Sequence, residues 1–306
     1  MNGQKDKSSQ NYSPSKAWRR YIKSRIRNTK KFGFINYFRA LRKEPKLNFE
    51  NFLSIVSIAK NEGKYLKEWI DYHSLVGVEK FYIYDNNSSD DTKSVLEPYI
   101  AKGIVEYKFF PGDKRQMPAY HEAIDNYKNK SKWIAFIDLD EFIVPVENET
   151  VADFLRIIPE NVRQLLAGWM IYGSSGFETS PEGLVIENYK YHMEENYDFQ
   201  VKAIINPRFV AEFNTPHFAE MAGITVDENL NKITKLPGWP LPKDKIRINH
   251  YHCKSKEEYA HRVKRGNAAL GQNFAKYVYT DEFFKNYDRN DIFDSIMDKY
   301  IPALKK

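Results

Sequence analysis

The stretch LSIVSIAKNEGKYLKEWIDYHSLVGVEKFYIYD (53–85) decides the fold class, because it contains two strand patterns separated by one helix pattern. LSIVSI (53–58) is a short apolar run, typical of a buried strand. Residues 65–77 carry apolar side chains at helical spacing, and KFYIYD (80–85) is a second strand pattern. A strand, a helix and a strand in this order predict parallel strands joined by a right-handed crossover.

The same alternation continues up to residue 138. Two helix patterns and two strand patterns follow in turn: DDTKSVLEPYIAKG (90–103), IVEYKFF (104–110), MPAYHEAIDNY (117–127) and KWIAFID (132–138). This order predicts an α/β fold with a mostly parallel central sheet flanked by helices, in which ligands bind at the carboxyl ends of the strands. Beyond residue 160 the pattern is less regular. It includes a strand-like run, LVIENY (184–189), and a helix that begins with a capping box at Ser255 and Glu258.

The composition is that of a folded protein. Apolar residues make up 42% and aromatic residues 15% of the 306 residues, which excludes a disordered chain. The one cysteine, Cys253, allows no internal disulfide and is in keeping with a reducing compartment. No apolar run reaches the length of a bilayer span, and the start of the sequence, MNGQKDKSSQNYSPSK, lacks the apolar core of a secretory signal. We therefore expect a cytoplasmic protein.

Residues 1–50 form a basic amphipathic segment. Residues 1–47 contain 14 Lys and Arg but only 2 Asp and Glu, whereas the whole chain carries a net charge of only +6. Aromatic and aliphatic side chains interleave with these charges over residues 16–46. Such a segment can bind an anionic membrane, here the cytoplasmic face of the inner membrane, and the open alternative is a helical arm packed on the domain. Because the remainder of the chain is acidic, we expect no nucleic-acid partner.

Three carboxylates stand inside an otherwise apolar run in WIAFIDLDEFIVP (133–145). Alternation along an extended chain would send Asp138 and Asp140 to the same side, where their negative charges repel each other unless a cation joins them. Mg²⁺ and Mn²⁺ prefer such oxygen ligands and keep positions open for substrate phosphates. We therefore predict a divalent metal ion at these aspartates. The open alternative is an acid cluster that caps the following turn.

Six motifs in one order give the chain a resemblance to a known family. They are AKNEGKYLKEWIDYH, GVEKFYIYDNNSSDDT, QMPAY, WIAFIDLDEFIVP, GSSGFETSPEGLV and NHYHCKSKEEY. With these motifs the chain resembles glycosyltransferase family 92, of the GT-A fold of nucleotide-diphospho-sugar transferases, over most of its length. The resemblance implies one domain over 51–306, with a nucleotide-binding half (51–145) and an acceptor-binding half with C-terminal helices (146–306).

The resemblance assigns the loops after the first two strands to the nucleoside of the donor. It implies that Asn61, Glu62, Asp85 and Asn87 contact the uracil and ribose of a UDP-sugar. The open alternative is ordinary turn chemistry, because Asn, Asp, Ser and Gly are the residues that turns select.

Further contacts to the nucleotide sugar are implied after the third and fourth strands. Lys114, Arg115 and Gln116 could approach the diphosphate or the donor sugar, with solvated loop charges as the equal alternative. Asp138 is expected to contact the nucleotide sugar in addition to the metal ion.

The motif NHYHCKS carries the remaining ligand of the metal site. The resemblance implies that His250 joins Asp138 and Asp140 at the metal ion, and that Lys254 faces the diphosphate. His252 would lie on the same face of a strand as His250, and we rank it second.

An inverting transferase also needs a carboxylate that takes the proton of the acceptor hydroxyl group. Our candidates for this base are Glu178 and Glu220, with Glu212 less favoured. His217 is a candidate contact to the acceptor. For each of these residues the open alternative is an ordinary surface position.

These inferences predict a Mn²⁺- or Mg²⁺-dependent transferase. It would move a hexose, with galactose as one candidate, from a UDP-sugar to a glycan or lipid-linked glycan in bacterial surface polysaccharide or lipopolysaccharide synthesis. A sugar nucleotidyltransferase is the first alternative, but it would carry a glycine-rich phosphate loop where AKNEGKYLKEW has a single glycine. The second is a non-catalytic membrane-surface scaffold, which would have lost Asp138, Asp140 or His250, and all three are present.

Overall fold

The computed structural model describes four stretches of the chain, residues 47–194, 199–235, 240–266 and 280–306. Almost all of the basic N-terminal segment lies outside the described residues, so its amphipathic character and its contact with a membrane stay predictions. Within the described stretches, no helix is both long enough and apolar enough to cross a membrane.

Strands and helices alternate in the first half of the fold. They are β1 (Asn51–Ala59), α1 (Gly63–Leu75), β2 (Lys80–Asp85), α2 (Thr92–Ala101), β3 (Val105–Phe109), α3 (Gln116–Tyr127) and β4 (Ser131–Phe136). The predicted order of elements is confirmed here, with ends that differ by a few residues. In β1, Leu53 and Ile55 pack into one hydrophobic core, and Val56 and Ile58 pack into a second core. Strand alternation therefore gives the sheet an apolar layer on each face.

The second half consists mostly of shorter elements. They are β5 (Glu141–Pro145), α4 (Val151–Arg156), β6 (Val162–Ile171), α5 (Val185–Asn188), β7 (Tyr191–His192), β8 (Val201–Ile205), β9 (Val210–Glu212), β10 (Glu220–Met221), β11 (Ile224–Val226), β12 (Ile246–His250), α6 (Lys256–Arg265), α7 (Asp281–Tyr287), β13 (Ile292–Phe293) and α8 (Ile301–Leu304). Two short 3₁₀ helices are also present, at Pro207–Phe209 and Asp298–Tyr300.

The strand pattern read at LVIENY (184–189) is wrong, because this stretch contains the helix α5. The carboxylate of the buried Glu68 accepts hydrogen bonds from the first amides of this helix, from Val185 at 2.7 Å and from Ile186 at 3.0 Å. A side chain 117 residues away therefore accepts the hydrogen bonds of amides that have no partner within the helix. This long-range contact overrides the local strand pattern.

Among the described residues, nine strands form one sheet in the order β3-β2-β1-β4-β8-β6-β12-β5, with β11 beside β6. The first four strands of this order run parallel, and β6 runs parallel to both β11 and β12. β8 is antiparallel to its neighbours, and β5 is antiparallel to β12. The predicted α/β fold of the GT-A type is thus confirmed. Since β4 and β12 point the same way, the residues after both strands meet at one edge of the sheet.

Candidate active site

The stretch that follows β4 is a turn and not an extended chain. The Glu141 N–H donates to the Asp138 carbonyl at 3.1 Å, and the Asp138 N–H donates to Oε2 of Glu141 at 2.9 Å. The strand alternation that we expected for Asp138 and Asp140 is therefore wrong. Each of the two aspartates has its own positively charged partner.

Asp138 meets a buried cation from β8. Nζ of Lys202 lies 2.8 Å from Oδ2 of Asp138 and 3.4 Å from Oε2 of Glu141, while Nε2 of Gln116 donates to Oδ1 of Asp138 at 2.8 Å. Burial alone would lower the pKa of Lys202, but the two carboxylates raise it above its usual value. Burial also raises the pKa of the Glu141 carboxyl well above its usual range.

Asp140 lies beside two histidines at the end of β12. The antiparallel pairing of β12 with β5 sets His250 opposite Glu141, and the Tyr251 N–H donates to the Asp140 carbonyl at 2.9 Å. Ligand atoms of Asp140, His250 and His252 lie within 4.8 Å of one another, and all three residues are buried. These three residues, which we call the metal triad, could hold a metal ion.

The surroundings of His250 fit this role. Its ring packs on Trp169 with centroids 4.2 Å apart, and its Nε2 faces Oδ2 of Asp140 at 3.4 Å. Neither ring nitrogen has a hydrogen-bond partner among the described residues, although buried polar atoms are nearly always paired. A mixed carboxylate and imidazole set suits Mn²⁺ better than Mg²⁺, which prefers oxygen ligands. Asp138 lies outside the metal triad, and its metal-binding role stays a prediction.

Two arginines of α6 reach the acids of the site. This helix begins with the predicted capping box. Arg262 forms an ion pair with Asp140, and Arg265 forms one with Glu62. Burial alone would raise the pKa of Asp140, but the Arg262 guanidinium and His250 hold it well below its usual range. Asp140 is therefore a carboxylate at neutral pH.

The two arginines and their acid partners line a cleft of about 680 Å³. Asn61, Glu62, Asp140 and Lys254 contribute to its lining. The Lys254 ammonium is buried 3.6 Å above the Tyr65 ring, and burial lowers its pKa. A smaller recess of about 80 Å³ has its own lining, which includes Ile58, Glu62, Gln116, Asp138, Asp140, Arg262 and Arg265. Both aspartates thus border open space.

The structure brings two of the four predicted nucleoside contacts to the cleft. Asn61 and Glu62 line it. Asp85 instead accepts a hydrogen bond from the Ser88 N–H at 2.8 Å, as the turn alternative predicts. Asn87 is exposed and has a φ of 62°. The contact of these residues with a nucleoside stays a prediction.

Of the three residues before and at the start of α3, Gln116 bonds directly to Asp138. Arg115 packs its guanidinium 4.0 Å above the Phe110 ring. Lys114 is exposed and has a φ of 52°. Gln116 is therefore the member of this group that the structure connects to the acids.

The candidate bases lie in different surroundings. The side chain of Glu178 is 78% exposed and faces Lys256 at 3.4 Å on the surface. Glu220 is partly buried in β10 and stands opposite Glu212 of β9. None of these three glutamates lines the cleft of about 680 Å³. Their catalytic role stays a prediction.

His217, the candidate acceptor contact, shares an aromatic neighbour with the metal triad. Its ring centroid lies 5.3 Å from that of Trp169, which also packs on His250. Burial, together with the charge of Lys202, lowers the pKa of His217 to about 4. The imidazole is therefore neutral at pH 7.

Three cations at this site were not predicted from the sequence: Lys202, Arg262 and Arg265. One of them has a recognisable signal, because a lysine inside the apolar run VKAII predicts a buried, paired charge. The arginines have none, since KEEYAHRVKR is charged along most of its length and resembles an ordinary solvated helix.

Comparison with known proteins adds the family. The profile of glycosyltransferase family 92 matches residues 53–297. A family 92 protein of Ricinus communis is 33% identical over 156 residues, which are 49% of this chain and 28% of that protein. A galactan β-1,4-galactosyltransferase of Arabidopsis thaliana is 26% identical over 204 residues, which are 61% of this chain and 38% of that protein. The chain thus spans well under half the length of these two relatives.

Among solved structures, residues 1–349 of TarS from S. aureus are similar with a TM-score of 0.39 and 17% identity. The similarity covers 76% of this chain and 70% of that one.

Proposed function

The chain belongs to glycosyltransferase family 92, and on that basis we propose that it transfers a hexose from a UDP-sugar to a glycan acceptor. The observation that carries this proposal is the position of Asp140, His252 and Lys254 along one cleft of about 680 Å³, with His250 beside Asp140 and His252 in the metal triad. Carboxylate and imidazole ligands beside a buried ammonium group suit a diphosphate that is bound through a divalent cation.

In this proposal the metal triad holds a divalent cation, for which Mn²⁺ is the first candidate and Mg²⁺ the second. When bound, such an ion acts as a Lewis acid that stabilises the negative charge of the leaving diphosphate. Lys254 offsets phosphate charge next to it. Asp138, which Lys202 and Gln116 hold in place, contacts the donor sugar from the smaller recess.

The remaining steps are assigned to residues outside the metal triad. Asn61 and Glu62 bind the nucleoside at the end of β1. Transfer proceeds with inversion, and a glutamate removes the proton of the acceptor hydroxyl as the new glycosidic bond forms. We favour Glu220 over Glu178 for this step, because a partly buried carboxylate can be shielded from water in a way that a side chain 78% exposed cannot.

Galactose is the first candidate for the transferred hexose, since one relative is named a galactan galactosyltransferase. The relatives reported above are plant proteins, so transfer within bacterial surface polysaccharide or lipopolysaccharide synthesis stays a prediction. The same holds for a lipid-linked acceptor, for location in the cytoplasm, and for attachment to the inner membrane through residues 16–46.

Release of UDP from a panel of UDP-sugars, with and without Mn²⁺, tests the proposed function without knowledge of the acceptor. We expect one UDP-hexose to be hydrolysed in the presence of the metal, and Asp140→Asn to lower its rate by about a hundredfold. The exposed Asp125→Asn is the matched control. A preference for a nucleoside triphosphate would favour the nucleotidyltransferase alternative, and absence of UDP binding would favour the scaffold.

A further inference from the structure

Arg262 pairs with Asp140, one of the three residues that would hold the proposed metal ion. Its guanidinium is paired with Oδ2 of Asp140, the same oxygen that Nε2 of His250 faces at 3.4 Å. A cation held by His250 and this oxygen of Asp140 would share the oxygen with Arg262. Two positive groups so close together in a partly buried site repel each other, so the guanidinium and the metal ion compete.

Arg265 repeats this arrangement one turn further along α6. It pairs with Glu62, and the two arginines lie three residues apart and thus on one face of the helix. Both arginines line the cleft of about 680 Å³ and also the smaller recess that reaches Gln116 and Asp138. The two arginines therefore lie between Asn61, at the proposed nucleoside end of the cleft, and Asp138 in the recess. A ligand that extends from one to the other would contact both arginines.

The charges of the cleft favour an anion and a metal ion together over a metal ion alone. Its described lining contains five lysines and arginines but four acids. A divalent cation added alone would increase this excess of positive charge, whereas a nucleoside diphosphate would offset it. Guanidinium groups bind phosphate oxygens in pairs of hydrogen bonds at least as well as they bind carboxylates.

Resting on the proposed function, we infer that Arg262 and Arg265 are diphosphate-binding residues that change partners when the donor binds. Without the donor they neutralise Asp140 and Glu62. With the donor they bind its diphosphate, and the carboxylate of Asp140 becomes available to the metal ion. Metal ion and diphosphate must then bind cooperatively, because each removes an obstacle to the other.

Binding of Mn²⁺ with and without UDP, measured by electron paramagnetic resonance of the free ion, tests this inference. For the wild-type protein we expect Mn²⁺ affinity to rise when UDP is present. Arg262→Gln should tighten Mn²⁺ binding without UDP by about tenfold or more, because the competing charge is gone, and should weaken UDP binding. Arg265→Gln should weaken UDP binding with little change in Mn²⁺ affinity without UDP.

Two further variants complete the design. Arg262→Lys retains a charge beside Asp140, so it should fold even if Arg262→Gln does not, and it should weaken UDP binding while Mn²⁺ binding without UDP stays weak. Arg156→Gln removes an exposed arginine from an ion pair on α4 and should change neither affinity. Equal Mn²⁺ affinities of wild type and Arg262→Gln without UDP would overturn the inference. Failure of every variant to bind Mn²⁺, even with UDP, would overturn the proposed metal site itself.

Discussion

The ammonium group of Lys202 lies 2.8 Å from Oδ2 of Asp138, and Lys202 is almost completely buried. Lys202 thus supplies a positive charge to Asp138, the acid that follows the apolar strand β4. Oε2 of Glu141 lies 3.4 Å from the same ammonium group. The stretch Asp138–Glu141 therefore depends on a cation from a neighbouring strand of the sheet.

We expect Lys202→Met to lower the free energy of unfolding by about 3 kcal/mol, because it leaves two carboxyl groups without their buried partner. Urea denaturation at pH 7 measures this loss. Lys130→Met, at a lysine whose side chain is 41% exposed and lies 4.0 Å from Glu106, is the control and should change stability by less than about 0.5 kcal/mol. Equal stability of the two variants would mean that Lys202 does not balance the charge of the turn.

His73 makes stability depend on pH. Burial lowers the pKa of His73 to about 3, from 6.5 for an unperturbed imidazole. Between these values the unfolded chain binds a proton that the folded protein does not, so stability falls as the pH falls. His73 alone should cost about 2 kcal/mol between pH 7 and pH 5. Urea titrations at both pH values should show a smaller drop for His73→Gln, and an unchanged drop would contradict this account.

His217 should affect binding of the acceptor and not binding of the donor. His217→Gln is expected to raise the KM for the acceptor about tenfold, since it removes a neutral polar ring from that side of the site, and to leave hydrolysis of the UDP-sugar unchanged. Steady-state kinetics with varied acceptor and a separate UDP-release assay distinguish the two effects. Loss of donor hydrolysis would place His217 at the donor.

The two candidate bases can be separated directly. Glu220→Gln should lower the transfer rate by about a hundredfold while leaving UDP affinity intact, because a general base acts on the proton transfer and not on donor binding. Glu178→Gln, at an exposed surface pair with Lys256, should stay close to wild type. Full transfer activity in Glu220→Gln would exclude Glu220 as the base.

Local patterns predicted those parts of the fold that local interactions determine. The apolar run LSIVSI marks β1, with Leu53 and Val56 in the cores on opposite faces, and Ser255 with its capping box marks the start of α6. The helix α5 was misread because its amides bond to Glu68, which lies 117 residues away in the chain.

Local patterns likewise predict some residues of the candidate site, but not the long-range contacts of those residues. Asp140 and His250 stand in recognisable motifs, and the structure brings them together. The partners of the acids could not be read from the sequence, because Lys202 lies 64 residues after Asp138 and Arg262 lies 122 residues after Asp140. Which charged side chains of a helix turn inward depends on tertiary packing and not on local spacing.

The central claim is that Asp140, His250 and His252 hold a divalent cation. Diffraction at the manganese absorption edge from crystals soaked with MnCl₂ and UDP tests it most directly. We expect one anomalous peak within bonding distance of a carboxylate oxygen of Asp140 and a ring nitrogen of His250, with the diphosphate as a further ligand. A cleft that contains UDP without such a peak, or manganese bound elsewhere, would contradict it.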